Sequence, residues 1–529
     1  FAVGDYVVFC ICLLLSLLIG IYYAITGGRQ ATTDEFLMAN RKMSAAPVSV
    51  SLFVTIMSAI TVLGVPAEVF QHGTSYWMFG FSYFLFTPIV AHCFIPVFYD
   101  MKITSVYEYL ERRYSKIVRL CGVVSFILMM IVYMGVVLYA PSLAINAVTG
   151  LNVWISVVGL CLVCTIYTVC GGLKAVIWTD VFQVGPVIMV LAQIIVIAIG
   201  CNKLGGISKV FQIAFDAGKL APINFDPSPF EAHTFWSLCI GGSFLCMSIY
   251  GVNQASVQRF LCCKTKLQAQ ISIYLNLPLL HLVMFIGCSI GLLIYSQYRC
   301  DNPLHYDTKP DQLLLYYVMN VLGEYPGIPG LFIACLFCAS LRWTISSSFN
   351  SLATVTMTDI IRPHFKMADR RATIISKTLV CGYALLCLCM TLIASQMPSV
   401  LKAALSILGI MGGPMLSLFL LGIYCRHINH KGALAGFMVS MVLVFWVGFG
   451  SIVFRVNNQT QGKPPFSFII QLLQQMTVDI ICLFILVSSV DVYTGINIIY
   501  KLSYMWYSGF SFLISLLIST VVSLCTGKF

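Results

Sequence analysis

Apolar positions in this chain neither alternate nor recur every third or fourth residue. They run on for about twenty residues at a time, the length an α-helix needs to cross the hydrocarbon core of a bilayer. About thirteen such runs can be bounded, at 6–26, 48–70, 77–98, 118–141, 152–171, 177–200, 234–254, 270–296, 328–357, 374–396, 400–423, 432–454 and 503–525. Two of them break partway, near Gly64-Val65-Pro66 and near Gly251-Val252-Asn253-Gln254. A break inside lipid frees amides and carbonyls that hydrocarbon does not satisfy, so it is tolerated only where it lines buried protein or a watered cavity. The pattern therefore predicts a solute site at mid-depth, between two interrupted helices.

Counting organises the runs further. The second to sixth (48–200) and the seventh to eleventh (234–423) each number five, and each group opens with a broken helix. An odd number makes the groups traverse the membrane in opposite senses, which is the signature of inverted repeats. The expected architecture is an all-α, polytopic membrane protein with a 5+5 inverted repeat, one extra N-terminal helix and two extra C-terminal ones. All of 1–529 forms a single transmembrane domain. This grouping rests on counting, because the halves carry no convincing residue-level identity. The stretch 455–502 reads as an extracellular loop; its apolar part, 466–490, contains Gln471, Gln474, Gln475 and Asp479, and Ile480 to Val490 is too short to span. A re-entrant or interfacial helix is expected there.

Composition agrees: 59% of the 529 residues are hydrophobic, 9% are charged and mean hydropathy is +0.93, outside the range of soluble globular domains. The net charge of +11 is a topology signal. With the N-terminus outside, roughly twenty of the 30 basic residues fall on cytoplasmic connections, including Arg112, Arg113, Lys116 and Arg119, and Arg362, Lys366, Arg370 and Arg371. Nucleic-acid binding is not inferred from it. The sequon at Asn458-Gln459-Thr460 then lies outside, as a glycosylation site. Among the 22 cysteines, Cys161 and Cys164 form a CxxC inside a span, which reads as core packing more readily than as a metal or redox site. Cys201 and Cys300 share the extracellular side; spacing leaves open whether they pair.

The chemistry expected at the breaks is ionic. A hard cation such as sodium takes oxygen ligands, and a broken helix offers carbonyls at the end of its first half, where the dipole is negative. Val54 and Met57 precede the first break at suitable distances, and Thr344-Ile345-Ser346-Ser347-Ser348-Phe349-Asn350 supplies hydroxyls on a facing helix. Close helix packing explains the same hydroxyls. Anions prefer the amides at the starts of half-helices, and Thr61, Tyr250, Asn253 and Gln254 put polar groups near both breaks. For Asn253 and Gln254, bonds that stabilise the kink are an equal reading. Asp180 lies either on a cytoplasmic cation exit path or in a pair with Lys174 or Arg259. His92, His281 and Lys402 read as interfacial or neighbour-satisfied, outside the site. No HExxH and no nucleophile with a positioned base suggests an enzyme.

The stretches Val48-Ser49-Val50-Ser51-Leu52 through Gly64, Thr104 to Arg113, Gly171 to Asp180 and Asn253-Gln254-Ala255-Ser256-Val257-Gln258-Arg259 resemble the hallmarks of the sodium/solute symporter family over nearly the whole chain. Tyr133 to Ala144, Tyr250 to Ala255 and Phe349 to Met357 are most similar to its vitamin-carrying branch. The resemblance implies the leucine-transporter fold and a multi-pass plasma-membrane protein that imports biotin, pantothenate and lipoate electrogenically with sodium. It also implies no cofactor, a sodium site using the carbonyls of Val54 and Met57 and a hydroxyl pair, and small anions as partners. Monocarboxylate and iodide symporters share much of the pattern.

The chain departs from the family at that hydroxyl pair. Where the family reads Leu-Ser-Thr, this sequence reads Ser340-Leu341-Arg342-Trp343-Thr344, keeping Thr344 and adding one residue. An inserted residue turns a helix by about 100°, and an arginine at bilayer depth costs something like 2.5 kcal/mol unless partnered. Three readings compete: a join error in the translated gene, altered coupling, or a transport-impaired copy.

Overall fold

A computed structural model describes residues 4, 5, 7, 8, 11, 14, 41–56, 58–182, 185–220, 223–300, 303–305, 309–325, 327–338, 345–365, 368–395, 397, 399–459 and 499–527. Helices make up its regular structure, and the described residues contain only one isolated β-bridge, Met43 with Cys263. In chain order they are α1 (Ala45–Ile56), α2 (Ala59–His72), α3 (Thr74–Asp100), α4 (Glu108–Arg113), α5 (Lys116–Thr149), α6 (Val153–Phe182), α7 (Gly185–Lys203) and α8 (Ile207–Asp216). There follow α9 (Trp236–Val252), α10 (Gln254–Leu261), α11 (Lys266–Tyr298), α12 (Leu313–Leu322), α13 (Ile328–Cys338), α14 (Ser346–Val355), α15 (Asp369–Ala394), α16 (Val400–Tyr424), α17 (His430–Gln459) and α18 (Tyr507–Cys525).

Seven of the described helices are long and apolar enough to cross a membrane, and α7 bends by 78° into α8 to give an eighth candidate. The number is smaller than the thirteen apolar runs in part because the broken spans come in pieces, 12 residues in α1 and 14 in α2. No single piece of that length reaches across hydrocarbon.

The two breaks are where the architecture turns. The second falls at Asn253, whose backbone is extended (φ −76°, ψ 126°) between a π-helical turn at Ser248–Val252 and the start of α10. The first is not at Gly64-Val65-Pro66: those residues lie inside α2, and the chain leaves helical geometry at Ser58 (φ −79°, ψ 164°). Close packing explains the small residue there. A Cβ on Gly64 would stand 2.6 Å from Leu401 Cβ, and α11 meets the same helix through Gly287 and Gly291, where added Cβ atoms would sit 2.9 Å from Val65 Cγ1 and 2.6 Å from Val69 Cβ. Pro66 is accommodated within α2, at the loss of one backbone donor.

Small residues also weld the C-terminal helices. Ser508, Ser511, Ser515, Ser519 and Ser523 recur every three or four residues along α18, all buried. They face Gly409 and Gly413 of α16 and Gly432 and Gly436 of α17. Without an apolar driving force between helices in lipid, such close approach is what dispersion and hydroxyl bonds require. Ser417 Oγ donates to Ser515 Oγ at 2.8 Å across this seam.

A Cβ on Gly436 would lie 2.0 Å from Ser519 Oγ and 2.7 Å from the Ser515 carbonyl oxygen. Gly436→Leu should therefore lower the thermal-unfolding midpoint of the detergent-solubilised protein, with an overpacking cost of about 1–3 kcal/mol. Gly382→Ala, where nothing lies within 4 Å, should leave it in place.

Candidate functional site

The two breaks meet at one cavity of about 100 Å3. Ser58 and Thr61 of the first break and Asn253 and Ser256 of the second supply polar groups, with Ser348 of α14. Met130 and Tyr133 of α5 and Leu401, Leu405 and Leu408 of α16 form the apolar wall.

Local chemistry explains why the chain turns at these residues. Ser58 begins α2 by accepting the amides of Thr61 (3.0 Å) and Val62 (3.2 Å) on its carbonyl, while its hydroxyl makes no cap. Asn253 caps α10 with its side chain, Oδ1 accepting the Ala255 amide at 2.9 Å. Both are residue types that favour helix starts. The helix starts so made leave first-turn amides without helical partners and carry positive dipole ends. Conversely, the end of α1 at Ile56 leaves last-turn carbonyls, Val54's among them, without helical acceptance.

The expected site residues divide. Thr61 and Asn253 line the cavity. Gln254 turns away from it: Oε1 accepts the Val106 amide at 2.8 Å and Nε2 donates to the Thr104 carbonyl at 2.9 Å, tying the break to the connection between α3 and α4. Tyr250 is buried against Phe86 in a stack at 4.7 Å, and its hydroxyl accepts from Asn276 Nδ2 at 3.2 Å. Met57 and Thr344, with Arg342 and Trp343 before it, lie outside the described residues. Val54, Asp180 and Asn458 fall in α1, α6 and α17, where their backbones alone are described. All of 466–490 is likewise outside the described residues.

The hydroxyl run on α14 is buried. Ser347 Oγ accepts from Arg259 Nη2 at 2.5 Å, and Ser351 Oγ bonds the Ser347 carbonyl at 2.9 Å. Ser346 Oγ and the Asn350 side-chain amide have no hydrogen-bond partner among the described residues. Buried oxygens in that state are what a bound cation would satisfy. Cys161 and Cys164 are buried, and Cys201 and Cys300 form no disulfide.

Two charged clusters lie beyond the cavity lining, and one centres on a residue the sequence reading passed over. Glu68, two turns beyond Thr61 on α2, is 3% exposed. Its Oε1 lies 3.0 Å from His233 Nε2, 3.2 Å from Lys402 Nζ and 3.7 Å from His72 Nε2. Lys402 is thus satisfied by a neighbour, as expected. The missed signal was available, since Glu68 is the only acid in the run 48–70, and a carboxylate at membrane depth is a functional candidate by default. In the second cluster Asp359 holds Ser105 and Arg119, and Arg119 also pairs with Glu111.

Two helices broken at the same depth, their starts turned to a shared cavity, define a secondary transporter of small solutes. The chain belongs to the sodium:solute symporter family, whose model matches residues 36–440. Sodium is accordingly the coupling ion, and the protein is a transporter, not an enzyme. It is 47% identical to the sodium-dependent multivitamin transporter of Oryctolagus cuniculus, over all of this chain and 83% of that one. It is 43% identical to the sodium-coupled monocarboxylate transporter 1 of Homo sapiens, over all of this chain and 88% of that one. The fold matches a solved Na+-coupled sialic acid symporter in its substrate-bound outward-open state, with TM-score 0.80 at 24% identity over 100% of this chain and 99% of that one.

Asp311, between α11 and α12, is buried and accepts the Val400 amide at 2.9 Å at the start of α16. Burial pushes its carboxyl up from 3.8 to about 6. A raised carboxyl pKa contributes stability that is complete below the unfolded value, near pH 4, and lost as pH rises through about 6. Asp311→Asn keeps an acceptor and removes the titration. Between pH 4 and 7 the wild type should lose up to about 3 kcal/mol relative to that variant, read as a difference in thermal midpoints.

Proposed function

We propose that the protein imports vitamin-like carboxylates (biotin, pantothenate and lipoate) with sodium, electrogenically, across the plasma membrane. The observation that carries this reading is the convergence of two helix starts, at Ser58 and Asn253, on one cavity. Their amides and dipole ends suit a carboxylate, while the apolar wall from α5 and α16 suits the hydrocarbon part of an acid. The similarity to a multivitamin transporter along the whole chain supports the substrate class.

In this reading 48–200 and 234–423 are the inverted repeats, and the N-terminus faces outside, so the Glu68 end of the cavity is outermost and Asn458 lies on the glycosylated side. Carbonyls of Val54 and Met57 and hydroxyls around Thr344 to Ser348 hold sodium, and Asp180 lies on its path to the cytoplasm. Thr61 and Asn253 touch the solute; Tyr250 and Gln254 brace the second break from behind. Sodium binding at the end of α1 fixes the first break and so completes the anion site beside it. Two sodium ions per monoanion carry in one net charge, and each 100 mV of negative potential then adds about 2.3 kcal/mol of drive.

A second reading is monocarboxylate import. The cavity of about 100 Å3 favours it, because pockets for drug-sized ligands run to about 300 Å3 or more and a vitamin needs Leu401, Leu405 or Leu408 to move. A transport-impaired copy rests on Arg342-Trp343 alone, and the transcript across Ser340 to Thr344 decides it.

Uptake of biotin and pantothenate by cells expressing the chain should require sodium and generate inward current, with lactate and iodide competing weakly. Equal uptake in sodium and choline media refutes the coupling. Lactate displacing both vitamins at lower concentration selects the second reading.

A further inference from the structure

Three features of the outer cluster belong together. First, one face of α2 carries Thr61, Gly64 and Glu68, so the carboxylate stands about 10 Å beyond the cavity along the helix. The facing residues on α16 match that order, Leu401 against Gly64 and Lys402 against Glu68. Second, nitrogens from three parts of the chain converge on a single oxygen, Glu68 Oε1: His72 from α2, His233 from the connection leading into α9, and Lys402 from α16. The histidine rings stack at 4.6 Å, and Lys402 Nζ also lies 3.4 Å from His72 Nε2. Third, the Glu68 side chain is 4% exposed, whereas Lys402 is 28% and His72 42% exposed. Lys402 and His72 are thus the more exposed members of the cluster, and the acid lies behind them.

We propose that this cluster is a carboxylate-binding site at the outer mouth, filled in this structure by the protein's own Glu68. Resting on the reading of the solute as a carboxylate, it makes Glu68 an internal competitor. When α16 parts from α2, the Glu68–Lys402 contact opens while Glu68 stays with His233, and Lys402 then takes the solute's carboxylate before it passes to the cavity below. Entry of the solute's carboxylate gives Lys402 an anionic partner again, so the half-buried ammonium lacks one only between opening and entry.

The test is the concentration dependence of uptake of pantothenate and of lactate, in cells expressing full-length variants, with surface density measured in parallel. Glu68→Gln removes the competitor and should lower the apparent KM about tenfold. Lys402→Gln should raise it about tenfold, and Lys402→Arg should restore it; a charge-assisted hydrogen bond lost or gained is of that size. The double variant Glu68→Gln with Lys402→Gln should behave as Lys402→Gln alone. A raised KM in Glu68→Gln, or an unmoved KM in Lys402→Gln, overturns the proposal. If Glu68→Gln does not reach the surface, the contrast between Lys402→Gln and Lys402→Arg decides it alone. Wild-type protein that carries neither acid defeats the functional reading first, and the exchange with it; intact uptake with an unmoved KM defeats the exchange alone.

Discussion

Every part of this structure answers to the peptide groups set free where two helices stop inside the bilayer. Hydrocarbon offers them nothing, so the protein surrounds each break with its own polar atoms and leaves a cavity where they meet. At Asn253 a side chain satisfies the new helix start directly. At Ser58, which lines the cavity, the backbone carbonyl does so and the side chain makes no cap. The first break is thus the less self-sufficient of the two. A site of this kind binds because it is unfinished: charged ligands complete the bonds that folding left open.

Holding such breaks open takes a rigid frame, and the frame is made of small residues. The serine stripe of α18 lets α16 and α17 approach it closely, and Gly287 and Gly291 let α11 do the same to α2. Helices packed this closely move as bodies rather than bending residue by residue. In the proposed exchange, displacement of α16 against α2 concentrates where the contact between them is polar, at Glu68 and Lys402.

Much of this was legible in the sequence, though unevenly. Apolar run length set the class, and the second interruption, at Asn253, fell within the stretch read for it, Gly251 to Gln254, because Asn and Gln stand out in an apolar run. The first interruption was misplaced by six residues or more, toward Gly64 and Pro66. Glycine and proline punctuate soluble helices, but in a membrane bundle glycine serves close packing and proline can sit inside a helix. Ser58 carries no comparable mark. Tyr250 and Gln254 lie beside the break in sequence yet face away from the cavity, since neighbours along a helix diverge by about 100°. Glu68 was overlooked because its partners, Lys402 and His233, are distant in the chain and only the fold assembles them.

Adjacent residues at the second break carry the coupling between the two ends. Asn253 lines the cavity, while Gln254 beside it fastens α10 to the Thr104 and Val106 backbone on the far side. On α2 the same relation holds at longer range, with Thr61 in the cavity and Glu68 fastening the opposite mouth. Each broken helix therefore lines the cavity with one residue and ties down a more distant part of the fold with another. In the proposed reading, a solute that shifts the start of either helix acts on one of these ties at once, without any intervening chain of side chains. The arrangement needs two breaks for that reason: a single interrupted helix would offer a site, but only one such tie.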